Sequence, residues 1–351
     1  MLEGIFDGEN MVRVLFICKR RPDGYGASYG LLNSCRFLCN ALHRLGVEAK
    51  LVEAIDNNYI DKEVYQYKPT HVFIEALWVV PEKFEVLIPL HPTVEWYVRL
   101  HSNSPFLANE GVAIDWIKRY AALNNKYPQF HVAPNSLKMF NELKQSLNIP
   151  LVYAPNIYDP EKEFGERPSA VPAEEKDSHI LNIGCFGAIR PLKNQLIQAM
   201  AAMAFADEQG KSLHFHINYT RVETHGENVQ KNLVSLFSGS RHQLITHEWM
   251  PHEDFLKLIL TMDYGLQVSF TETFNIVAAD FVYLKVPIVG SDEIEWMNCL
   301  YQAKTTAIDN IINHLWLAKI GKRIGLHTLN NIGLNSYNIG AVDAWKDLLK
   351  L

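Results

Sequence analysis

Two carboxylates, Glu272 and Asp280, are separated by seven residues. The apolar segment 264–269 before Glu272 predicts a strand, and a helix that begins near Phe274 would carry Asp280 one or two turns inside it. A carboxylate accepts hydrogen bonds from two neighbouring hydroxyls, which a hexose and a ribose both present. The turn Thr273-Phe274-Asn275 would leave backbone N–H groups at a helix N-terminus, where phosphate or sugar oxygens bind. The segment therefore indicates a sugar-nucleotide site.

A second candidate site follows the predicted strand 180–184, in a loop with Gly187, Arg190 and Lys193 that leads into a helix. The diphosphate of a sugar nucleotide gains negative charge as the glycosidic bond opens, and a fixed cation stabilises that charge. A glycine loop and a helix N-terminus bind phosphate oxygens in the same way. Arg221 follows another strand at the carboxyl end of the predicted sheet and is a further diphosphate candidate.

Each of these residues also has a structural explanation. An acid near a helix start offsets the helix dipole, and acids within helices or cations on loops commonly face solvent. Arg221 fits a salt bridge at a helix start or between domains equally well.

Together the segments resemble the signature of retaining GT-B glycosyltransferases of the glycogen-synthase and mannosyltransferase-like class (glycosyl transferases group 1), which includes phage-type members. That signature has a Glu, a Gly-Phe-Gly-like turn, a second Glu after seven residues, and then Ala-Met-Ala-x-Gly-x-Pro-Val-Val. This chain matches it with Glu272, Phe274 and Pro287-Ile-Val289, and departs from it with Asp280 for the second Glu and Lys285 for Gly. The resemblance implies that Glu272 binds the donor sugar and Asp280 the ribose.

The family's Gly-Arg-x-x-x-x-Lys sequence is matched by Lys193, whereas Ala188 occupies the arginine position and Arg190 follows two residues later. The resemblance implies that these cations contact the donor diphosphate. It also places the backbone around Met250 near the nucleobase. Whether the changes at Ala188 and Lys285 reduce activity stays open.

The N-terminal half carries weaker matches to the same family. Gly26 matches the glycine of the first loop, which borders the acceptor site and approaches the donor phosphates. His101 directly follows the predicted strand 95–100, as does a family histidine that lies near the reacting centre. The resemblance implies that His101 orients groups there, although a structural histidine fits equally well. His131 and Asn135, at the end of the next strand, have a fainter claim.

Alternating strands and helices predict an α/β protein with parallel sheets covered on both faces. The resemblance makes it a GT-B fold of two Rossmann-like domains facing a central cleft. We expect an acceptor domain over 1–160, a proline-rich and charged linker over 161–178, and a donor domain over 179–335. A helix over 336–351 is expected to cross back to the N-terminal domain. The segment 152–159 resembles the sequence that closes that domain in the family.

Composition fits two ordinary domains, since 351 residues with 48% hydrophobic and 21% charged content supply two cores of common size. The net charge of -6 argues against a broad nucleic-acid surface, with Lys19-Arg20-Arg21 a local exception. No apolar run approaches the ~20 residues of a membrane span. The N-terminus lacks a signal-peptide pattern, and five cysteines without a CxxC pair suggest reduced thiols. We therefore expect a cytoplasmic protein.

The predicted function is transfer of a sugar from a UDP- or GDP-linked donor to an unidentified acceptor, with retention of anomeric configuration. The resemblance implies no metal and no cofactor beyond the nucleotide sugar. Alternatives are a non-catalytic sugar-nucleotide-binding protein, a sugar-nucleotide epimerase, and a glycosyltransferase that modifies DNA bases. A nucleic-acid partner is kept as an alternative and is not favoured. The sequence leaves the sugar, the base, the acceptor and the oligomeric state open.

Overall fold

The structure is a computed structural model that describes residues 11–20, 29–160, 177–223 and 225–351. The predicted loop residue Gly26 and positions 161–176 of the predicted linker lie outside the described residues. The chain divides into two units, Met1–Lys162 with Asn338–Leu351, and Glu163–Tyr337.

The first unit is built on a five-stranded parallel sheet in the order β2-β1-β3-β4-β5. Its strands are β1 (Arg13–Lys19), β2 (Glu48–Ala54), β3 (His71–Glu75), β4 (Glu95–Leu100) and β5 (Phe130–Pro134). Its helices are α1 (Tyr29–Arg44), α2 (Asn58–Tyr67), α3 (Pro81–Leu90), α4 (Ser104–Leu107), α5 (Ala113–Lys126) and α6 (Leu137–Leu147). The apolar run 14–18 in β1 is fully buried, as expected for a central strand of a sheet that helices cover on both faces.

The second unit has its own five-stranded parallel sheet, in the order β10-β9-β6-β7-β8. Its strands are β6 (Ile180–Gly184), β7 (Ser212–Asn218), β8 (Gln243–His247), β9 (Tyr264–Gln267) and β10 (Ile288–Gly290). Its helices are α7 (Gln195–Asp207), α8 (Gly226–Phe237), α9 (His252–Thr261), α10 (Ile276–Tyr283) and α11 (Ile308–Arg323), and α12 (Leu329–Leu349) follows at the end of the chain. The prediction of an α/β fold with parallel sheets is confirmed.

The strand orders show where each sheet can bind a ligand. In the first sheet the chain reverses its direction of travel between β1 and β3, and in the second between β6 and β9. Ligands of open α/β sheets bind beyond the carboxyl ends of the strands at such reversal points. No helix in the described part of the chain is long and apolar enough to cross a membrane.

Lys285, at a position where the resembled signature has glycine, lies in the turn between α10 and β10 with φ 59°. That left-handed conformation carries no steric cost for glycine but costs a residue with a Cβ about 1–2 kcal/mol. The lysine side chain is exposed. The departure from the family sequence is therefore a change in backbone strain and not in the packing of the sheet.

The end of α12 completes the core of the first unit. Trp345 is fully buried and packs against Phe16 and Phe73, with ring centroids 5.9 and 4.9 Å apart. Its indole N–H donates to the carbonyl of Pro155 at 2.9 Å. The Asn338 side chain bonds both the N–H and the C=O of Tyr158, each at 3.0 Å. Residues 338–351 are thus tied to the first unit by both apolar packing and hydrogen bonds.

Trp345→Ala should lower the free energy of unfolding by about 3–5 kcal/mol, because it opens a cavity and leaves the Pro155 carbonyl without its donor. Ile339→Ala is the matched control on the same helix, since Ile339 is exposed, and should stay within about 0.5 kcal/mol. Urea unfolding followed by circular dichroism measures both. Equal effects of the two substitutions would contradict the anchoring role of Trp345.

A histidine pair joins β7 and β8 in the second unit. His216 Nδ1 lies 2.9 Å from His247 Nε2, the rings stack, and His216 Nε2 lies 3.1 Å from Asn182 Oδ1. Because the Asn182 oxygen accepts, His216 Nδ1 accepts in turn from His247, and both rings are neutral. Burial, then the neighbouring His247, lowers the pKa of His216 to about 3, and burial also lowers the pKa of His247.

The lowered pKa of His216 makes its contribution to stability complete above the ordinary pKa of about 6.5, and progressively lost as the pH falls towards 3. His216→Gln should therefore reduce the stability lost between pH 7 and pH 5 by about 1–2 kcal/mol. His214→Gln is the control on the same strand and should change that loss much less, because His214 is the smallest of the three causes of the lowered pKa of His216. Urea unfolding at the two pH values is the measurement, and identical pH slopes for wild type and His216→Gln would refute the assignment.

Candidate functional site

The two loops at the β6/β9 reversal point bring together the sequence-predicted residues Lys193 and Glu272. Lys193 Nζ lies 2.5 Å from Glu272 Oε1, and the side chains are only 14% and 8% exposed. Lys193 ends the short 3₁₀ segment Pro191–Lys193 after β6, and Glu272 follows β9. A cation and an acid 79 residues apart in sequence thus form one charged pair at the carboxyl edge of the sheet.

Buried amide side chains fix the position of Lys193. Gln198 donates from Nε2 to the Lys193 carbonyl at 2.8 Å and accepts from the Val268 N–H at 2.7 Å. Asn194, at φ 58°, donates from Nδ2 to the carbonyls of Val268 and Thr305. These bonds join the loop after β6 to the end of β9, so the lysine and the acid are positioned by one network.

Gly187 lets the loop pass beneath the lysine. Its φ is 120°, a conformation that residues with a Cβ rarely adopt, and its N–H donates to Asn218 Oδ1 at 2.9 Å. A Cβ added there would lie 3.8 Å from Lys193 Cε. The predicted glycine therefore lies directly against the predicted cation. Ala188 is buried next to it.

The turn Thr273-Phe274-Asn275 leads into α10. Asn275 caps the helix by accepting from the Ala278 N–H at 2.8 Å, and its Nδ2 donates to Gln267. Phe274 is buried, and its carbonyl accepts from the Trp296 indole. Phe274 thus contributes packing, and Asn275 fixes the start of the helix.

Asp280 is 1% exposed and lies within α10, where its Oδ1 is 2.8 Å from His252 Nε2. His252 is itself buried, at the first position of α9. The sequence analysis selected Asp280 but not its partner His252. The imidazole, and not solvent, is the immediate partner of the acid.

A second charged cluster lies beyond β6 and β7. Glu223 receives Arg190 on Oε2 at 2.6 Å and Arg221 on Oε1 at 2.7 Å. The Arg221 guanidinium also lies over the Trp249 ring, 5.3 Å from its centroid. Met250 follows Trp249 in the segment between β8 and α9 and is half-buried. The sequence analysis did not select Glu223, although this acid binds both candidate arginines.

The charges of these two clusters fit an anionic ligand. Lys193 is paired with Glu272, and Glu223 binds both Arg190 and Arg221, so the two clusters together contain three cations and two acids. The nearby thiol Cys185 stays protonated, because burial, opposed by Lys193, raises its pKa to about 12. The site therefore offers cations and carboxylates to a ligand, and not a nucleophilic thiol.

His101, in the first unit, has both ring nitrogens hydrogen-bonded to the protein. Nε2 lies 2.5 Å from Glu75 Oε2, and Nδ1 lies 3.2 Å from Asn135 Nδ2. Glu75 is fully buried and is also bound by Arg99 at 3.1 Å. Burial opposes ionisation of Glu75, but Arg99 and His101 outweigh it and lower its pKa. Burial lowers the pKa of His101, so a neutral ring donates to a charged carboxylate.

Of the two weaker candidates, Asn135 joins this histidine and His131 does not. His131 Nε2 bonds Glu95 at 2.9 Å, and its ring stacks on Tyr97. Among the described residues, no group of three or more His, Cys, Asp or Glu is arranged to hold a metal ion.

A pocket of about 210 Å³ opens beside His101 at the β1/β3 reversal point. Its lining comprises Lys19, Leu31, Glu75, Ala76, Leu77, Trp78, Leu100, His101, Ser102, Leu107 and Glu110. The structure thus has one candidate site at the reversal point of each sheet.

Solved structures share this fold. An E. coli structure named for trehalose-6-phosphate and bound with UDP-2-fluoro glucose has a TM-score of 0.69 at 10% identity, over 96% of this chain and 99% of that one. A Rickettsia africae glycosyltransferase gives 0.65 at 11% identity, over 97% of each chain. A Burkholderia xenovorans UDP-forming trehalose-phosphate synthase gives 0.63 at 10%, over 97% and 99%. No protein-family model and no curated protein sequence matches the chain. The predicted GT-B fold is confirmed by these structures.

Gly226, at the start of α8, determines how closely that helix approaches the loop after β6. A Cβ added to Gly226 would clash with the Ile189 carbonyl, which already accepts from the Glu223 N–H at 2.9 Å. Ile189 and Val222 form a parallel bridge at the same place. The glycine therefore keeps Arg190 and Glu223 within reach of each other.

Gly226→Ala should destabilise the protein by about 1–3 kcal/mol, because the backbone of the loop or the helix must shift. Gly340→Ala is the matched control within α12, where an added Cβ meets nothing within 4 Å. It should be neutral or stabilising by about 0.5–1 kcal/mol, because alanine favours a helix over glycine. Urea unfolding measures both, and a neutral Gly226→Ala would show that the close approach is dispensable.

Proposed function

We propose that the chain is a retaining glycosyltransferase that moves a sugar from a nucleoside-diphosphate sugar to an acceptor hydroxyl. The observation that carries this is the Lys193–Glu272 pair at the β6/β9 reversal point. It places a phosphate-binding cation and a sugar-binding acid 2.5 Å apart at the position where open α/β sheets bind nucleotides. The GT-B fold and the sequence resemblance support the same activity.

Lys193 binds the diphosphate of the donor in this proposal, with Arg190 and Arg221 adding positive charge from the neighbouring cluster. The first backbone N–H groups of α10 supply further donors to phosphate or sugar oxygens. These cations stabilise the leaving diphosphate as it gains negative charge. The chain thus provides the charge that a metal ion would otherwise supply, and no other cofactor is proposed.

Glu272 binds hydroxyls of the donor sugar, and the Asp280–His252 pair lies on the side of the ribose, near the Met250 backbone and the base. Because His252 engages Asp280, ribose hydroxyls would be met by the imidazole or by the acid after a small movement. The E. coli structure binds a UDP-linked sugar, which makes UDP the first nucleotide to test here and GDP the second.

In the reaction, the bond between the anomeric carbon and the diphosphate oxygen breaks, and the acceptor oxygen bonds to that carbon on the same face. The acceptor proton passes to a departing phosphate oxygen. His101 is not the base in this scheme, because both its nitrogens are engaged and the ring orients groups instead. The acceptor is assigned to the pocket beside His101 in the first unit.

The five cysteines lack a CxxC pair, and four are buried thiols. This usage supports placing the enzyme in the cytoplasm.

Thermal shift with a panel of UDP-, GDP- and ADP-sugars and their free diphosphates should give a selective response to one nucleotide. Glu272→Gln should abolish the tighter binding of the nucleotide sugar relative to the free nucleoside diphosphate, because it removes a charged acceptor for sugar hydroxyls. Lys193→Ala should weaken binding of the free nucleoside diphosphate about 10–100-fold, because it removes a charged hydrogen bond.

The matched control is Glu253→Gln, an exposed acid on α9 that should change nothing. Absence of any nucleotide response in the wild type would defeat the proposal. Turnover separates the remaining functions, since nucleotide release that depends on acceptor fits a transferase, whereas binding without release fits a sugar-nucleotide-binding protein.

A further inference from the structure

We propose that the pocket beside His101 binds an uncharged sugar ring stacked on Trp78, and that this sugar is the glycosyl acceptor. The inference deepens the proposed function and rests on it. It identifies the acceptor by chemical class, which neither the fold nor the donor site determines.

The size of the pocket limits its ligand. Its volume of about 210 Å³ is below the roughly 300–1,000 Å³ of pockets for drug-sized molecules. One monosaccharide fits that space. A long apolar chain or a nucleic-acid duplex would have to lie outside it.

The pocket has an apolar side and a polar side, as a sugar ring does. Trp78, Leu77 and Leu100 supply an aromatic and aliphatic wall, while Ser102 and Glu110 supply polar groups. A pyranose has faces of C–H groups and a rim of hydroxyls. An indole ring packs against the C–H face, and carboxylate and hydroxyl oxygens accept from the rim. The wall and the polar groups together match a sugar.

The charges at the pocket select against a phosphorylated sugar. Glu75 is neutralised internally by Arg99 at 3.1 Å, and His101 is neutral because burial lowers its pKa. That leaves Lys19 and Glu110, one charge of each sign, both exposed. A phosphate carries about −1.5 to −2 charges at neutral pH and would meet no excess of positive charge among the lining residues. Lys19, the exposed Arg20 that follows it and the nearby start of α1 are the features that favour an anion.

A separate observation at the pocket is backbone strain in the turn that follows β3. Ala76 has φ 70°, which costs a residue with a Cβ about 1–2 kcal/mol. Its N–H donates to the Arg99 carbonyl at 3.0 Å. The strained residue lies between the buried Glu75 and the wall residues Leu77 and Trp78. Strain of this kind persists where the surrounding structure imposes it and clusters at ligand sites.

The experiment is saturation-transfer difference NMR on the full chain, with D-glucose, D-mannose and D-galactose and their 6-phosphates as probes. At least one free hexose should bind in preference to its 6-phosphate. Trp78→Ala should raise the dissociation constant of that hexose at least tenfold. Trp78→Phe should change it by no more than about threefold, because an aromatic face remains. Circular dichroism establishes that each variant is folded.

Trp116→Ala is the matched control, since Trp116 is a half-buried tryptophan of the same unit that does not line the pocket. It should leave hexose binding unchanged. Lys19→Gln should change hexose binding less than about twofold. Preferential binding of a 6-phosphate that Lys19→Gln abolishes would overturn the uncharged assignment, as would hexose binding that survives Trp78→Ala.

The donor panel, run on the same wild-type preparation, separates this inference from the proposed function. A selective nucleotide response with no binding of any hexose would overturn the acceptor assignment and leave the donor site intact. Hexose binding lost in Trp78→Ala without any nucleotide response would establish the sugar pocket and overturn the transferase.

Discussion

The Lys193–Glu272 ion pair is the interaction on which the second unit's site depends. A largely buried ion pair is weak evidence for stability, since removing two charges from water costs about as much as their attraction returns. Its position at the carboxyl edge, between the strands where the chain reverses direction, instead points to a ligand. A diphosphate and a sugar would each take one member of the pair as partner.

The pair is held by uncharged groups that have no reactive chemistry of their own. Asn194 and Gln198 join the loop after β6 to the end of β9, and Gln267 donates to the Phe186 carbonyl while it accepts from Asn275. Buried amides form two-sided hydrogen bonds and so fix two loops at once. Fixed dipoles and cations need no reorganisation when a charge develops beside them.

The first unit uses a different arrangement at the equivalent position. Glu75, Arg99 and His101 form a buried, charge-balanced group, and Asn156 joins it through Arg99. Trp345 from the end of the chain packs within 5.8 Å of Arg99 and covers the same core. The pocket that we assign to the acceptor thus has balanced charges and an apolar wall, while the site assigned to the donor contains the cations Lys193, Arg190 and Arg221, each paired with an acid. This difference suits a neutral acceptor and an anionic donor.

The sequence by itself determined the parallel α/β sheets, because apolar strands that alternate with amphipathic helices have few other ways to bury their faces. It also selected Lys193, Gly187 and Glu272, which lie together in the structure, since motif spacing is local and each follows a predicted strand. Only the tertiary structure decided their partners. Glu223, His252 and Trp78 carry no local signal, because an acid, a histidine or a tryptophan on a loop has many uses, and its role depends on which distant strand ends beside it.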